Sequence, residues 1–129
     1  MIYPTVEQIA AEVRQCLDAG DQTAAMRVLA DGVNRLHWAV DAGQLDDAIG
    51  QEPPSTGDIR WDTLLAASVR YRLHAIGVDP PAWTLKPPLP KFFAPFAWTK
   101  EKFYLDWAGA PAEFLRVGIL MHERELSTA

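Results

Sequence analysis

The sequence predicts a mainly α fold, and three observations indicate it. Three segments carry apolar residues at the 3.6-residue period of an amphipathic helix, few segments alternate with period two as strands do, and no unit recurs at a fixed period as in a solenoid. The 129 residues suit one domain. We expect an N-terminal αα-hairpin (1–49), a third, long central helix (58–77), an irregular arm rich in proline and aromatic residues (78–98) and short C-terminal helices (99–129).

The first helix is expected over residues 5–19. Thr5 and Gln8 have the spacing of a capping box, in which each side chain accepts a hydrogen bond from the other's backbone N–H. Gly20 is placed to adopt the left-handed conformation that ends a helix. The apolar stripe comprises Val6, Ile9, Val13, Cys16 and Leu17.

The second helix begins at once, with Asp21 or Thr23 as its cap. A connection this short makes two helices antiparallel, which predicts an αα-hairpin. The stripe expected to face the first helix comprises Ala25, Val28, Leu29, Gly32, Val33, Leu36 and Val40. Residues 42–59 are expected to cross the surface with one helical turn at 45–49, because prolines and a glycine follow.

The central helix shows the strongest helical pattern in the chain. Asp58 precedes it, the apolar period runs over residues 59–76, and Gly77 followed by two prolines ends it. Its broad apolar face comprises Trp61, Leu64, Leu65, Ser68, Val69, Leu73 and Ile76.

The arm differs in composition from everything before it. Six of the ten prolines lie between residues 80 and 95, and eight of the thirteen aromatic residues lie between 83 and 107. Proline at this density excludes helix and sheet alike, and the aromatic content is too high for an ordinary flexible linker. Two alternatives stay open: the arm lies over the helices, or it docks on a partner.

Short elements are expected after the arm. Thr99 can cap a helix that reaches Trp107, and Pro111 fits the first position of another helix that ends before Gly118. Residues 119–121 suit a short extended piece, and residues 122–126 suit a last helical turn.

Composition and charge exclude several classes of protein. The formal net charge is −5, a single cysteine excludes a disulfide framework, and no apolar run approaches the ~20 residues that span a bilayer. The opening residues lack the features of a secretory signal, so a cytoplasmic location without membrane attachment is expected. Residues 1–62 carry a net charge of −7, whereas residues 63–105 carry +4 and contain all four lysines. The chain is therefore polarised.

No motif for catalysis or for a metal is found. His37, His74 and His122 lack the spacing that places two imidazoles on one helix face, and the zincin-like start at residue 122 has Leu126 where a second histidine belongs. Cys16 lies within an apolar stripe, where a thiol behaves as a small hydrophobic group. The sequence lacks the nucleophile elbow, the phosphate-binding loop and the dinucleotide-binding pattern. We therefore expect neither an enzyme nor a bound cofactor or metal ion.

Direct binding to nucleic acid is not favoured. The sequence isoelectric point is near 5.1, and neither hairpin helix is basic in the way a DNA-reading helix is. A nucleic-acid complex of which this chain is one subunit remains a third hypothesis, because basic residues and aromatic residues alternate along the arm.

Four stretches resemble a group of small actinobacterial-type proteins that are known mainly as uncharacterised proteins or as neighbours of toxin genes. They are residues 19–29, 56–67 (TGDIRWDTLLAA, similar to GDPRWDALLA), 81–84 and 110–119 (APAEFLRVGI, similar to TPAAFRRRGI). Such proteins often accompany nucleotidyltransferase-type toxins and carry an additional DNA-binding helix-turn-helix region. The resemblance therefore implies an antitoxin-like role, and the lack of that region here argues against autoregulation by direct DNA binding.

The favoured hypothesis is a protein-binding module whose partner is a cognate toxin or a further copy of the chain. Large aromatic side chains anchor interfaces, and lysines beside them suit an acidic surface. The expected partner-binding residues are Trp83, Lys86, Lys91, Phe92, Phe93, Phe96, Trp98 and Lys100. Two alternatives stay open: these aromatics complete the protein's own core, or Trp61, Tyr71, His74 and Trp83 line a pocket for a small molecule or substrate.

Overall fold

The computed structural model describes residues 3–96 and 99–126, and this part of the chain is mainly helical without a strand. The helices, in chain order, are α1 (Val6–Asp18), α2 (Gln22–Asn34), α3 (Leu36–Asp41), α4 (Leu45–Ile49), α5 (Ile59–Ala75), α6 (Lys100–Ala108) and α7 (Ala112–Leu115), with 3₁₀ turns at Ala82–Thr84 and Glu123–Leu126. None of the helices in the described part of the chain combines the length and the apolar character that crossing a membrane requires. The mainly α prediction is confirmed.

The α1–α2 hairpin forms as its sequence signals indicate. The Thr5 N–H donates to Gln8 Oε1 at 2.9 Å and the Gln8 N–H to Thr5 Oγ1 at 3.2 Å, which completes the capping box. Gly20 has a φ of 74°, and Asp21 caps α2 by accepting from the Ala24 N–H at 2.9 Å. At Gly32 the two helices approach so closely that an added Cβ would lie 2.6 Å from Ile9 Cγ1. Glycine therefore sets the distance between the helices.

The second helix is shorter than expected. It ends at Asn34, and Arg35 forms a turn in which its N–H reaches the carbonyl oxygens of both Asp31 and Gly32 before α3 begins. The prediction that one helical face continues to Val40 was wrong, because the turn at Arg35 divides this segment into α2 and α3. The turn at 45–49 is confirmed as α4, but Ala48 and Ile49 are buried, so the segment also contributes to the core.

Helix α5 lies at the centre of the core. Asp58 caps it by accepting from the Arg60 N–H at 2.9 Å, and residues on all sides of it are buried. The expected face is buried except for Ile76, which is 45% exposed because the helix ends at Ala75 and Ile76 lies in its C-terminal turn. The core that surrounds α5 draws on α1 to α4, on the arm and on the C-terminal segment.

The described part of the arm lies over the helices. The Leu89 N–H donates to the Val117 carbonyl and the Phe93 N–H to the Gly118 carbonyl, and the Leu120 N–H donates to the Phe93 carbonyl, each at 2.9 Å. Phe93 and Ile119 thereby form an isolated parallel bridge. The prolines of the arm are compatible with this bridge, because the N–H groups that donate belong to Leu89, Phe93 and Leu120 and no longer ladder of hydrogen bonds is formed. The first of the two alternatives for the arm therefore holds over residues 80–96.

The C-terminal elements follow the expected order. Thr99 caps α6 by accepting from the Lys102 N–H at 3.0 Å. Pro111 lies one position earlier than expected, at the N-cap of α7, and Gly118 has a φ of 82° after it. Ile119, Leu120 and Met121 are buried, which fixes the C-terminal segment to the core.

Candidate partner-binding surface

A basic and apolar surface forms where the arm runs beside the end of α7. Phe92 is 76% exposed, although the residue that follows it is hydrogen-bonded through its backbone on both sides. Its ring borders Gly118, where an added Cβ would lie 3.5 Å from Phe92 Cδ1. Exposed Leu115 accepts the Gly118 N–H through its carbonyl oxygen. We call the surface made by Leu85, Lys86, Lys91, Phe92, Leu115 and Arg116 the arm surface.

The cations of the arm surface are fixed to different degrees. Lys86 forms an ion pair with Glu52, and Arg116 Nη2 donates to the Lys86 carbonyl oxygen at 3.0 Å. Lys91 is exposed, and no carboxylate among the described residues pairs with it. The sequence contains no acidic residue between Asp79 and Glu101. The arm surface is therefore positive, with an exposed aromatic ring beside its least constrained cation.

The other residues predicted from the sequence have different environments. Trp83 is half-buried and donates its indole N–H to the Ile49 carbonyl oxygen at 2.6 Å. Phe96 is half-buried with Lys102 Nζ 5.8 Å from its ring centre, and Lys100 is exposed at the start of α6. Trp98 lies outside the described residues.

Phe93 requires a correction. Its ring is buried edge-on against Trp61, with ring centres 6.1 Å apart, and Arg60 covers its other side at 5.0 Å. A side chain in the protein's own core is not available to fill a partner's pocket. For Phe93 the alternative in which the aromatics complete the core therefore holds.

Helix α6 presents a second exposed surface, of which the sequence indicated Trp107 as a type of residue that anchors interfaces. Phe103, Tyr104, Leu105 and Trp107 are 38%, 56%, 55% and 57% exposed, and Asp106 is the buried residue of this helix. Scattered exposed apolar residues are ordinary, but four within five positions form a patch of the kind that marks interaction sites. The signal was present in the sequence as a dense aromatic run on a helix too short to bury it.

One lysine fastens α6 to the rest of the molecule. Lys102 Nζ donates to Asp106 Oδ1 at 2.5 Å, one turn along the same helix, and to Glu125 Oε1 in the C-terminal turn at 2.9 Å. Burial alone would lower the pKa of Lys102, but the hydrogen bonds to the two carboxylates outweigh it and raise that pKa above its ordinary 10.5. The ammonium therefore remains charged and neutralises Asp106.

Polar side chains at the start of α5 have a structural role. Asp62 accepts from the Ser55 hydroxyl at 2.6 Å, the Thr56 N–H at 2.7 Å and the Thr56 hydroxyl at 2.6 Å. With Glu52, Pro53, Pro54, Leu65, Trp83 and Lys86, Ser55 and Asp62 line a small pocket of about 70 Å³. These three hydrogen bonds hold the turn at Ser55 and Thr56 against the first turn of α5.

Among the four residues proposed for a small-molecule pocket, the two tryptophans, Trp61 and Trp83, lie at different cavities of the described structure. Tyr71 donates to Glu123 Oε2 at 3.1 Å, and His74 Nδ1 lies 2.6 Å from Glu113 Oε2, so both attach α5 to the C-terminal segment. Burial and the Glu123 carboxylate raise the pKa of Tyr71.

Residues 3–96 and 99–126 contain no group of three or more histidine, cysteine, aspartate or glutamate side chains placed to hold a metal ion. No protein-family model, no curated protein and no solved structure matches this chain.

Proposed function

We propose that this chain is a non-catalytic protein-binding module of the antitoxin kind, which neutralises a cognate toxin by direct contact through the arm surface. The observation that carries the proposal is Phe92, a large aromatic ring exposed beside Lys91 on backbone that is hydrogen-bonded to the C-terminal segment. The resemblance to neighbours of nucleotidyltransferase-type toxins supports the choice of partner.

The fixed backbone favours binding. Ordering a flexible segment at an interface reduces the free energy of association, so a ring held in place before contact binds more tightly than one on a mobile loop. Three backbone hydrogen bonds of 2.9 Å join the arm to residues 117–120 around Phe92. The ring can therefore act as a preformed anchor, the residue type that dominates many interface energies.

The charge of the arm surface specifies the chemistry of the partner. Lys91 and Arg116 carry positive charge without a carboxylate partner among the described residues, whereas residues 1–62 of the same chain are strongly acidic. We expect the partner to present an acidic rim around an apolar pocket for Phe92. Complementary charge of this kind accelerates association and makes it sensitive to salt.

The experiment measures binding to the product of the adjacent gene. The two proteins are co-expressed and the dissociation constant is determined by calorimetry for wild type, Phe92→Ala and Lys91→Glu. Loss of a central anchor or reversal of a contacting charge is expected to weaken binding by about tenfold or more. Arg27→Glu is the matched control, because Arg27 is an exposed cation on α2 that is not part of the arm surface. Unchanged affinity in both arm variants contradicts the proposed surface, and no binding by the wild type contradicts the antitoxin role.

A second candidate function is the binding of a small molecule. It is favoured by the pocket at the start of α5, where Lys86, Ser55 and Trp83 converge. That pocket is smaller than the roughly 300 Å³ at which ligand sites begin, and the larger cavity between α1 and α4, about 310 Å³, is lined mainly by polar residues whereas ligand sites are mostly apolar. The protein-binding function is therefore preferred. A thermal-shift screen tests it, because a ligand that binds only the folded state raises the melting temperature.

A further inference from the structure

Helix α6 carries a stripe typical of a helix that docks in a groove. Lys100, Phe103, Tyr104 and Trp107 are spaced i, i+3, i+4 and i+7, which places them on one side of the helix. Each is exposed, and Lys100 has no carboxylate partner among residues 3–96 and 99–126. We call these four residues the α6 stripe. It combines three aromatic anchors with one cation near the N-terminus of the helix.

Contacts elsewhere on α6 hold the stripe in a fixed orientation. Lys102 bridges Asp106 to Glu125, and the Glu123 N–H donates to the Gly109 carbonyl oxygen at 3.3 Å just past the helix end. Gly109 packs against the His122 ring so closely that an added Cβ would lie 2.1 Å from His122 Cδ2. These contacts fix the orientation of α6 without using any residue of the stripe.

The same chain offers a groove of opposite charge. Between the start of α1 and α4 lies a cavity of about 310 Å³, large enough to fall within the range of ligand sites. Val6 and Ala48 also line it but are only 2% and 1% exposed, so the cavity is mainly polar. Its carboxylates are Glu7, Asp46, Asp47 and Glu52, and in the described structure only Glu52 of these forms an ion pair, with Lys86. We call this cavity the acidic groove.

We propose that the α6 stripe of one copy docks in the acidic groove of a second copy of this chain. Lys100 then meets the unpaired carboxylates of the groove, while the aromatic rings pack against half-buried Pro53, which also lines it. The complementary charge of the two surfaces supports this docking, because among the described residues neither Lys100 nor the groove carboxylates other than Glu52 form an ion pair. The α6 stripe and the acidic groove share no residue with the arm surface. The one link is the ion pair between Glu52 of the groove and Lys86 of the arm surface, so the two proposals stand separately.

The geometry of such a contact is head-to-tail. Each copy contributes its α6 stripe to one neighbour and its acidic groove to another. Assembly therefore proceeds to a closed ring or an open chain rather than to a two-fold dimer. The exposed stripe is smaller than the roughly 800 Å² per partner of a stable interface, so we expect association that depends on protein concentration and weakens at high salt.

Sedimentation equilibrium of the full chain, from low micromolar to millimolar concentration, tests the proposal. The wild type is expected to associate, and Trp107→Ala to weaken the association constant by about tenfold, the effect of losing a typical interface anchor. Leu105→Ala is the matched control, because Leu105 is equally exposed on α6 but points away from the stripe, and it is expected to leave the constant within about twofold. Circular dichroism verifies that each variant folds.

A charge-reversal pair identifies the two surfaces. Lys100→Glu and Asp47→Lys are each expected to reduce self-association strongly, and a mixture of the two variants is expected to associate, because the intact stripe of one meets the intact groove of the other. A wild type that stays monomeric throughout the concentration range overturns the proposal. So does association that survives Trp107→Ala and Lys100→Glu, and so does a mixture that fails to associate.

Discussion

Trp83 donates its indole N–H to the carbonyl oxygen of Ile49 at 2.6 Å, and this bond joins the arm to the end of α4. The two residues are 34 positions apart in the sequence, and the acceptor belongs to a short helix whose last carbonyl oxygens have no partner within the helix. One side chain thus satisfies a helix terminus and holds the start of the arm against the core.

Trp83→Phe is expected to lower the free energy of unfolding by about 1 to 2 kcal/mol, because it removes the donor, leaves the Ile49 carbonyl oxygen unpaired and removes part of a half-buried ring. Urea denaturation measures the loss. Phe92→Ala, at a ring that is largely exposed, serves as the control and is expected to change stability by no more than about 0.5 kcal/mol. Equal stability of wild type and Trp83→Phe would show that the bond does not hold the arm.

Lys102→Met is expected to destabilise the protein by about 2 kcal/mol, because it leaves the buried carboxylate of Asp106 without its countercharge. The usual penalty for such a loss is larger, but Lys102 is itself partly exposed, so water screens part of the interaction. Lys100→Met is the matched control on the same helix, expected to change stability by no more than about 0.5 kcal/mol. The two variants are compared by chemical denaturation, and similar effects at both positions would contradict the role of Lys102.

The pKa of Lys102 also predicts a pH dependence. Because the folded state raises this pKa above 10.5, the stabilisation is complete below that value and is lost as the pH rises through the folded-state pKa. The pKa of Tyr71 is also raised in the folded state, so this group likewise lowers stability as the pH rises above its ordinary pKa of 10.0. Stability is therefore expected to fall above about pH 10.5, and the difference between wild type and Lys102→Met to shrink there. A difference that stays constant at alkaline pH would argue against the charged bridge.

Asp58→Asn tests the opposite end of the pH scale. The hydrogen bond from the Arg60 side chain is the main cause that lowers the pKa of Asp58 below 3.8, so its stabilisation is present above that value and is lost as the pH falls through the lower, folded-state pKa. Asparagine keeps a capping oxygen for the Arg60 N–H but removes the charge. We expect Asp58→Asn to lower the free energy of unfolding by less than about 1 kcal/mol at neutral pH, as for other exposed ion pairs. In acid this difference from wild type is expected to disappear. Thermal unfolding from neutral to acidic pH measures it, and a loss independent of pH would contradict the charge effect.

Gly32→Ala tests the close approach of α1 and α2. The added methyl group would overlap Ile9 Cγ1 and Cδ1, and overpacking of this kind costs about 1 to 3 kcal/mol, which outweighs the roughly 1 kcal/mol that alanine gains over glycine in a helix. Adding Ile9→Val removes one of the two overlapping atoms and is expected to recover part of the stability. A stabilised Gly32→Ala variant, measured by calorimetric melting, would show that the helices can separate freely.

Local signals allowed much of the helical fold to be predicted. Thr5, Asp58 and Thr99 form helix caps with neighbouring backbone groups, and Gly20 and Gly118 adopt left-handed turns, so their roles depend on a few adjacent residues. The turn at Arg35 could not be predicted in the same way, because residues 33–37 contain neither glycine nor proline and α3 is fixed by the burial of Leu36 and Ala39.

The candidate site was only partly predictable, for a related reason. Lys91 and Phe92 follow from composition alone, since the arm is basic and aromatic throughout. Which aromatic ring faces inward depends on the register of the arm against residues 117–120, and that register places Phe93 on Trp61 and leaves Phe92 exposed. Such pairing between distant segments leaves no local sequence signal. The exposed surface of α6 differs in this respect, because the dense aromatic run of Phe103, Tyr104 and Trp107 on a short helix is a local signal.

Neutralisation in living cells tests the central claim most directly. The product of the adjacent gene is expressed under an inducible promoter, and growth is measured with wild-type chain or with a Lys91→Glu, Phe92→Ala double variant whose folding is verified by circular dichroism. We predict that the wild type restores growth and that the double variant, present at the same level, does not. Full restoration of growth by the double variant, or none by the wild type, would contradict the account.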